Sequence, residues 1–223
     1  KSKGNVVSPD DLVRDYGCDS LRLYEMFVGP PELDSEWDER GIDGVYRFIT
    51  RFWKLAVDSI EANVEPTKEM IKLRHQMVHT ITRRLEDFSL NTVVSGFMEF
   101  NNKFIELSKK EGGIDKETIQ TFVTLLAPFA PHIGEELWER LGNTGSVFEN
   151  NKWPEADEEL MKDDEIQVPV QINGKTKVVI SVPADISKDD AIAQGKEALG
   201  DKLTGNIVKE IYVPGRIINI VAK

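Results

Sequence analysis

The spacing of apolar residues changes once along this chain, and the change separates two kinds of structure. From residue 43 to residue 142 apolar positions recur every three or four residues, and from Ile166 they recur at every second residue. Val45, Phe48, Ile49, Phe52, Ala56 and Ile60 fall on one stripe of a helix. Pro66 opens a second helix with Ile71, Val78, Ile81 and Leu85 inward, and Ser89 or Asn91 starts a third with Leu90, Val94, Phe97, Met98, Phe104 and Ile105. A fourth runs from Asp115 to Ala127, and Pro128 and Pro131 break the chain before a last helix ending at Gly142. Consecutive amphipathic helices on short connections predict an antiparallel bundle over residues 41–150.

Two shorter helices precede the bundle. Ser8-Pro9-Asp10-Asp11 reads as a helix start, with a serine cap, proline in the first turn and two acids facing the positive end of the dipole. Gly17 stops that helix, Asp19 or Ser20 is expected to cap the next, and Gly29-Pro30-Pro31 ends it in an acidic, turn-rich stretch holding Trp37. Residues 151–164 are polar and acidic and are expected to be a linker.

Beyond them Ile166, Val168, Val170 and Ile172 alternate with polar or small groups, Asn173-Gly174 marks a two-residue hairpin turn, and Lys175 to Val182 returns as the partner strand. A helix capped by Ser187 spans residues 187–200, and Ile207–Val213 and Arg216–Val221 form a second hairpin around Pro214-Gly215. The expected fold is therefore mostly α with a small α+β C-terminal domain of ββαββ order over residues 165–223.

A net charge of −11 argues against a general nucleic-acid binder, but the average conceals an asymmetry. Residues 165–223 carry eight Lys/Arg against seven Asp/Glu, so the remaining 164 residues hold 20 basic and 32 acidic side chains. Contact with RNA has to be made locally, along stripes of cations. Arg47, Arg51 and Lys54 form one such stripe opposite Phe48 and Phe52, Arg83 and Arg84 add charge on the next helix, and Lys175, Lys177, Arg216 and Lys223 mark the hairpins of the tail. An ordinary solvated face is the competing reading of each.

Other candidates point to structure. His75 and His79 lie four apart on one helix, a spacing that grips a metal, but no third ligand completes a set, so no metal site is assigned. Glu135 and Glu136 point about 100° apart around a helix, which suits the dipole better than shared catalysis. The lone cysteine, Cys18, excludes an internal disulfide and reads as a small buried residue of a reduced, cytoplasmic chain. No apolar run approaches the length of a membrane span. The opening Lys1-Ser2-Lys3-Gly4-Asn5 sets two ammonium groups around a hydroxyl, followed by a glycine. That is either part of a phosphate-holding loop or a solvated terminus.

Several motifs carry a resemblance. Lys1-Ser2 is similar to the end of the Lys-Met-Ser-Lys-Ser signature of class I aminoacyl-tRNA synthetases, and Tyr16 to Arg22 (YGCDSLR) resembles the family's Tyr-Gly-Ala-Asp-Ala-Leu-Arg. Glu36-Trp37 with residues 41–55 (GIDGVYRFITRFWKL) resembles the leucyl and valyl branch. Residues 126–138 (LAPFAPHIGEELW) are most similar to leucyl-tRNA synthetases, and residues 166–221 resemble the C-terminal domain of the bacterial leucyl enzymes.

The resemblance implies a C-terminal part of a bacterial leucyl-tRNA synthetase, a monomeric cytoplasmic ligase that uses ATP with magnesium to attach leucine to its tRNA. Lys1 would stabilise the ATP triphosphate, with Ser2 beside it in the catalytic loop. Residues 1–40 would dock that loop, 41–150 would be the anticodon-binding-type bundle, and 165–223 would grip the tRNA elbow. The partners implied are leucine tRNA and the catalytic and editing domains of the parent chain. The 223 residues alone are expected to bind no cofactor and to form no leucyl-adenylate. A valyl enzyme, a stand-alone RNA-binding module and a scaffold bundle are the alternatives; the ββαββ tail fits neither the valyl coiled coil nor the isoleucyl zinc module.

Overall fold

Short polar side chains cap four of the eight described α-helices. The Asp38 carboxylate accepts from the Arg40 amide, Thr67 Oγ1 from Met70, Asp115 from Thr118 and Ser187 Oγ from Asp190, each satisfying a donor that the first helical turn leaves free. The computed structural model describes residues 7–35, 37–149, 151–162 and 165–223, and the chain divides into two units between Met161 and Lys162.

The first unit holds α1 (Pro9–Tyr16), α2 (Cys18–Phe27), α3 (Glu39–Ala62), α4 (Lys68–Glu86), α5 (Leu90–Glu111), α6 (Lys116–Leu126) and α7 (Pro131–Arg140). Its centre is aromatic. Phe122 meets Phe52 edge-on at 4.3 Å between ring centroids, with Phe97 at 5.7 Å and Phe104 at 6.1 Å, and Phe129 closes on Phe97. Leu23 and Tyr24 of α2 belong to this same core, so the two leading helices are built into the bundle. Cys18 is half-buried and free.

The inward face of α4 is turned by about one residue from the expected one. Met70, Met77, Val78 and Ile81 are buried, whereas Ile71 and Leu85 are only half-buried. Buried Arg74 shares that face, its Nη1 lying 2.8 Å from Glu117 and 3.6 Å from the buried carboxylate of Asp115. An ion pair thus takes the place of an apolar contact between α4 and α6. The stretch expected as a linker is fastened along α4 as far as Met161. Trp153 Nε1 donates to Thr82 Oγ1 at 2.8 Å, the Asp157 amide donates to His75 Nδ1 at 3.0 Å, and Gln76 Nε2 donates to the Met161 carbonyl.

The second unit is a four-stranded sheet with one helix. Strands β1 (Glu165–Ile172), β2 (Lys175–Pro183), β3 (Ile207–Val213) and β4 (Ile217–Ala222) lie in the order β2-β1-β4-β3. Both hairpins are antiparallel, while β1 and β4 run parallel, with Val170 opposite Ile218. The crossover helix α8 (Lys188–Leu199) covers one face, where Val168, Val170, Val182, Ile218 and Ile220 are buried with Ala191 and Leu199. A β-carbon at Gly195 would lie 3.2 Å from Ile218, so glycine lets the helix approach the sheet closely. Asn173 and Gly174 both take left-handed backbone, as the two-residue hairpin turn requires.

Candidate nucleic-acid interface

The outward face of α3 carries a row of cations on the acidic unit. Arg47, Arg51 and Lys54 are all exposed on it, opposite buried Val45, Phe48, Phe52 and Ala56. Arg47 Nε donates to the Asp43 carbonyl at 3.2 Å, which steadies the stem and leaves the terminal nitrogens outward. Arg51 has no hydrogen bond or ion pair among the described residues. Lys54 pairs with Asp58 at 2.9 Å, and that bond raises its pKa above the ordinary lysine value. Both partners are exposed, so the pair is weakly held and exchangeable.

The other helical cations divide. Arg83 is exposed at the end of α4 beside Glu86 and Asp87. Arg84 is used internally: its Nη1 donates to the Thr92 carbonyl at 2.6 Å, and Nη2 lies 3.6 Å from Glu99. A β-carbon at position 96 would stand 2.6 Å from that guanidinium, so Gly96 provides its space. Arg84 therefore braces α4 to α5.

In the second unit, hairpins lying side by side would bring Lys175, Lys177, Arg216 and Lys223 to one segment of folded RNA. The parallel pairing of β1 with β4 separates them. Lys175 and Lys177 follow the turn at the C-terminal end of β1, and Lys223 lies at that same end, its amide and carbonyl paired with Asn206. Arg216 precedes β4 and so stands at the opposite end of the sheet. Each of these four side chains is exposed.

Two of the recognised motifs meet in space. Asp19, 8% exposed, accepts from the amides of His132 and Ile133 at 3.3 and 2.8 Å and lies 2.8 Å from His132 Nδ1. It thereby caps α7, whose own N-cap residue, Ala130, has no acceptor side chain, whereas Gly17 occupies the cap of α2. Arg22 donates from Nε to the Phe129 carbonyl and from Nη2 to that of Pro128. The Asp-Ser-Leu-Arg segment thus closes both ends of the α6–α7 turn. The roles of Asp19 and Arg22 were missed from sequence because both partners lie more than 100 residues away. Glu135 likewise serves a turn, accepting from Ser146 Oγ and from the Val147 amide. His75 is occupied as the acceptor for Asp157, and no group of three or more candidate metal ligands occurs among the described residues. Lys1 and Ser2 lie outside the described residues.

Residues 67–192, more than half of the chain, match the family described as the anticodon-binding domain of tRNA ligase. The chain belongs to this anticodon-binding family of tRNA ligases. Over its whole length it is 44% identical to a leucine–tRNA ligase of Fervidobacterium nodosum and 40% identical to one of Rhodopirellula baltica. It spans 29% and 24% of those relatives' lengths. A solved structure of LeuRS agnB2 from Agrobacterium radiobacter K84, in ternary complex with tRNA and LeuAMS, is similar over the whole chain, with 27% identity and a TM-score of 0.75. The chain corresponds to 31% of that protein. The anticodon-binding family match begins at the cap of α4, so α3 with its cations precedes it and is covered by the whole-length likeness to the leucine–tRNA ligases. No described helix is long and apolar enough to cross a membrane.

Proposed function

We propose that this chain is the tRNA-holding part of a leucine–tRNA ligase, an enzyme that activates leucine with ATP and transfers it to the 3′ end of its tRNA. The observation that carries this reading is the whole-length, collinear likeness to leucine–tRNA ligases, joined to the cationic face of α3. On an acidic body, an exposed row of Arg47, Arg51 and Lys54 supplies the local positive potential that a phosphate backbone needs. Arg83 adds a separate contact, and the tail unit offers two cationic ends in place of one: Lys175, Lys177 and Lys223 together, and Arg216 alone. Arg84 acts as a brace.

In the working ligase Lys1 would offset charge on the ATP triphosphate, with magnesium, and Ser2 would stand beside it. The catalytic and editing domains would be the protein partners, in a cytoplasmic monomer. Helices α1 and α2 would transmit the position of that loop to the bundle through Asp19 and Arg22.

The test is binding of the 223-residue chain to a leucine tRNA transcript across a salt series. A negative slope of log K against log salt is expected, shallower by about one for each of Arg47→Gln and Arg51→Gln. Binding indifferent to salt, or unchanged in the double variant, overturns the assignment of α3 to RNA.

A further inference from the structure

An aromatic side chain flanks the cationic stripe of α3. Tyr46 precedes Arg47 by one residue, about 100° around the helix, and is 45% exposed. Its ring is fixed in place. Tyr16 of α1 meets it at 5.8 Å between centroids with planes at 76°, and the Tyr16 hydroxyl donates to Asp43 Oδ1 at 2.9 Å. Asp43 is also the residue whose carbonyl holds Arg47. One residue therefore anchors both the aromatic support and the neighbouring guanidinium. The Tyr46 hydroxyl makes no hydrogen bond among the described residues.

Two turns further on, Trp53 offers a contrast. The guanidinium of Arg140 lies 4.9 Å from its ring and is itself held by Glu136 at 2.8 Å. A cation already stands over Trp53, and among the described residues none stands over Tyr46. An edge-to-face contact with Tyr16 uses at most one face of the Tyr46 ring. An exposed aromatic ring, supported from one side and flanking a cationic stripe, suits an unstacked base, whose π-face lies on the ring while the strand's phosphates run to the stripe. A continuous duplex would satisfy the arginines alone and leave the ring unused.

We propose that Tyr46 is a stacking platform for an unpaired nucleobase of the bound tRNA, with Arg47, on the neighbouring flank of the helix, receiving an adjacent phosphate. The proposal rests on the reading of α3 as an RNA-binding face. It assigns to that face a contact with a single-stranded or bulged nucleotide and not only with a stem.

The experiment compares Tyr46→Ala, Tyr46→Leu, Tyr46→Phe and Tyr46→Trp in the 223-residue chain, using the leucine tRNA transcript across a salt series. Melting temperatures are recorded for each, because loss of the Tyr16 contact also affects stability. Stacking predicts a 5- to 50-fold loss of affinity for the Ala and Leu variants, roughly the value of one base–aromatic contact. The salt slope stays as in the wild type, because no phosphate contact is removed. Phe stays within about twofold, and Trp binds at least as tightly. A uridine octamer competes with the transcript for the wild type, less well for Tyr46→Ala, and a blunt 12-base-pair RNA duplex competes equally for both. Wild-type affinity in the Ala variant, a loss in Phe equal to that in Ala, or a changed salt slope overturns the stacking role. If the wild type itself shows no salt dependence, the RNA reading of α3 fails first.

Discussion

Phe88 ends α4 in a conformation that glycine normally supplies. Its φ is +54°, the Ser89 amide bonds back to the Arg84 carbonyl, and the ring is 64% exposed. Left-handed backbone costs a residue with a β-carbon about 1–2 kcal/mol, and an exposed ring recovers little of it. Phe88→Gly is expected to raise stability by about 0.5–1 kcal/mol after glycine's own entropy cost, read as a higher urea midpoint at unchanged slope. Arg74 illustrates the opposite case. Asp115 both caps α6 and faces this buried guanidinium, so Asp115→Ala removes a cap and half of an ion pair together. A loss of about 3 kcal/mol is expected, with Asp115→Asn clearly milder because it keeps an acceptor for the Thr118 amide. Single residues were legible where their partner is a near neighbour, as at Ser187. Arg74 was not, because an arginine in a helical stripe reads as surface until the helix carrying its partner is placed beside it.

Helices and strands were legible from period and punctuation, and their ends less so. Asp19 sits where a cap of α2 is expected, yet it serves α7 across the fold. Asp19→Ala is expected to cost about 1–2 kcal/mol, and hydrogen exchange should show the loss at the first turn of α7 and not at α2. In the sheet, the Asn173-Gly174 signal was correct, but the sequence is silent on what its side chain reaches. Asn173 Nδ2 donates to the Ala222 carbonyl at 2.9 Å, and its Oδ1 accepts from the Ala222 amide at 3.1 Å. This pairing ties the first hairpin to β4. The order of the strands decides where Arg216 lies relative to Lys175, and alternation within each strand carries no information about which hairpin edge joins which.

At the scale of the whole molecule the chain divides between Met161 and Lys162, and residues 151–161 run with the first unit. That stretch is laid along α4, and one of its fastenings is sensitive to acid. Burial first, and then the neighbouring Arg74, hold the His75 pKa below its ordinary value, and its Nδ1 accepts from Asp157 only while unprotonated. Because the folded pKa is depressed, this contribution is present above the unfolded value of about 6.5 and is lost as pH falls through the folded one. Thermal melts between pH 7.5 and 5 should fall more steeply for the wild type than for His75→Gln, and equal slopes would count against the coupling.

The clamp of Asp19 and Arg22 on the α6–α7 turn also sets a timetable. Asp19 lies 113 residues ahead of its first partner, His132. At ordinary ribosomal speeds of roughly 5–20 residues per second, the finished α2 waits on the order of ten seconds for α7 to be made. During synthesis, then, the leading helices acquire their final seat only when residues 128–133 emerge.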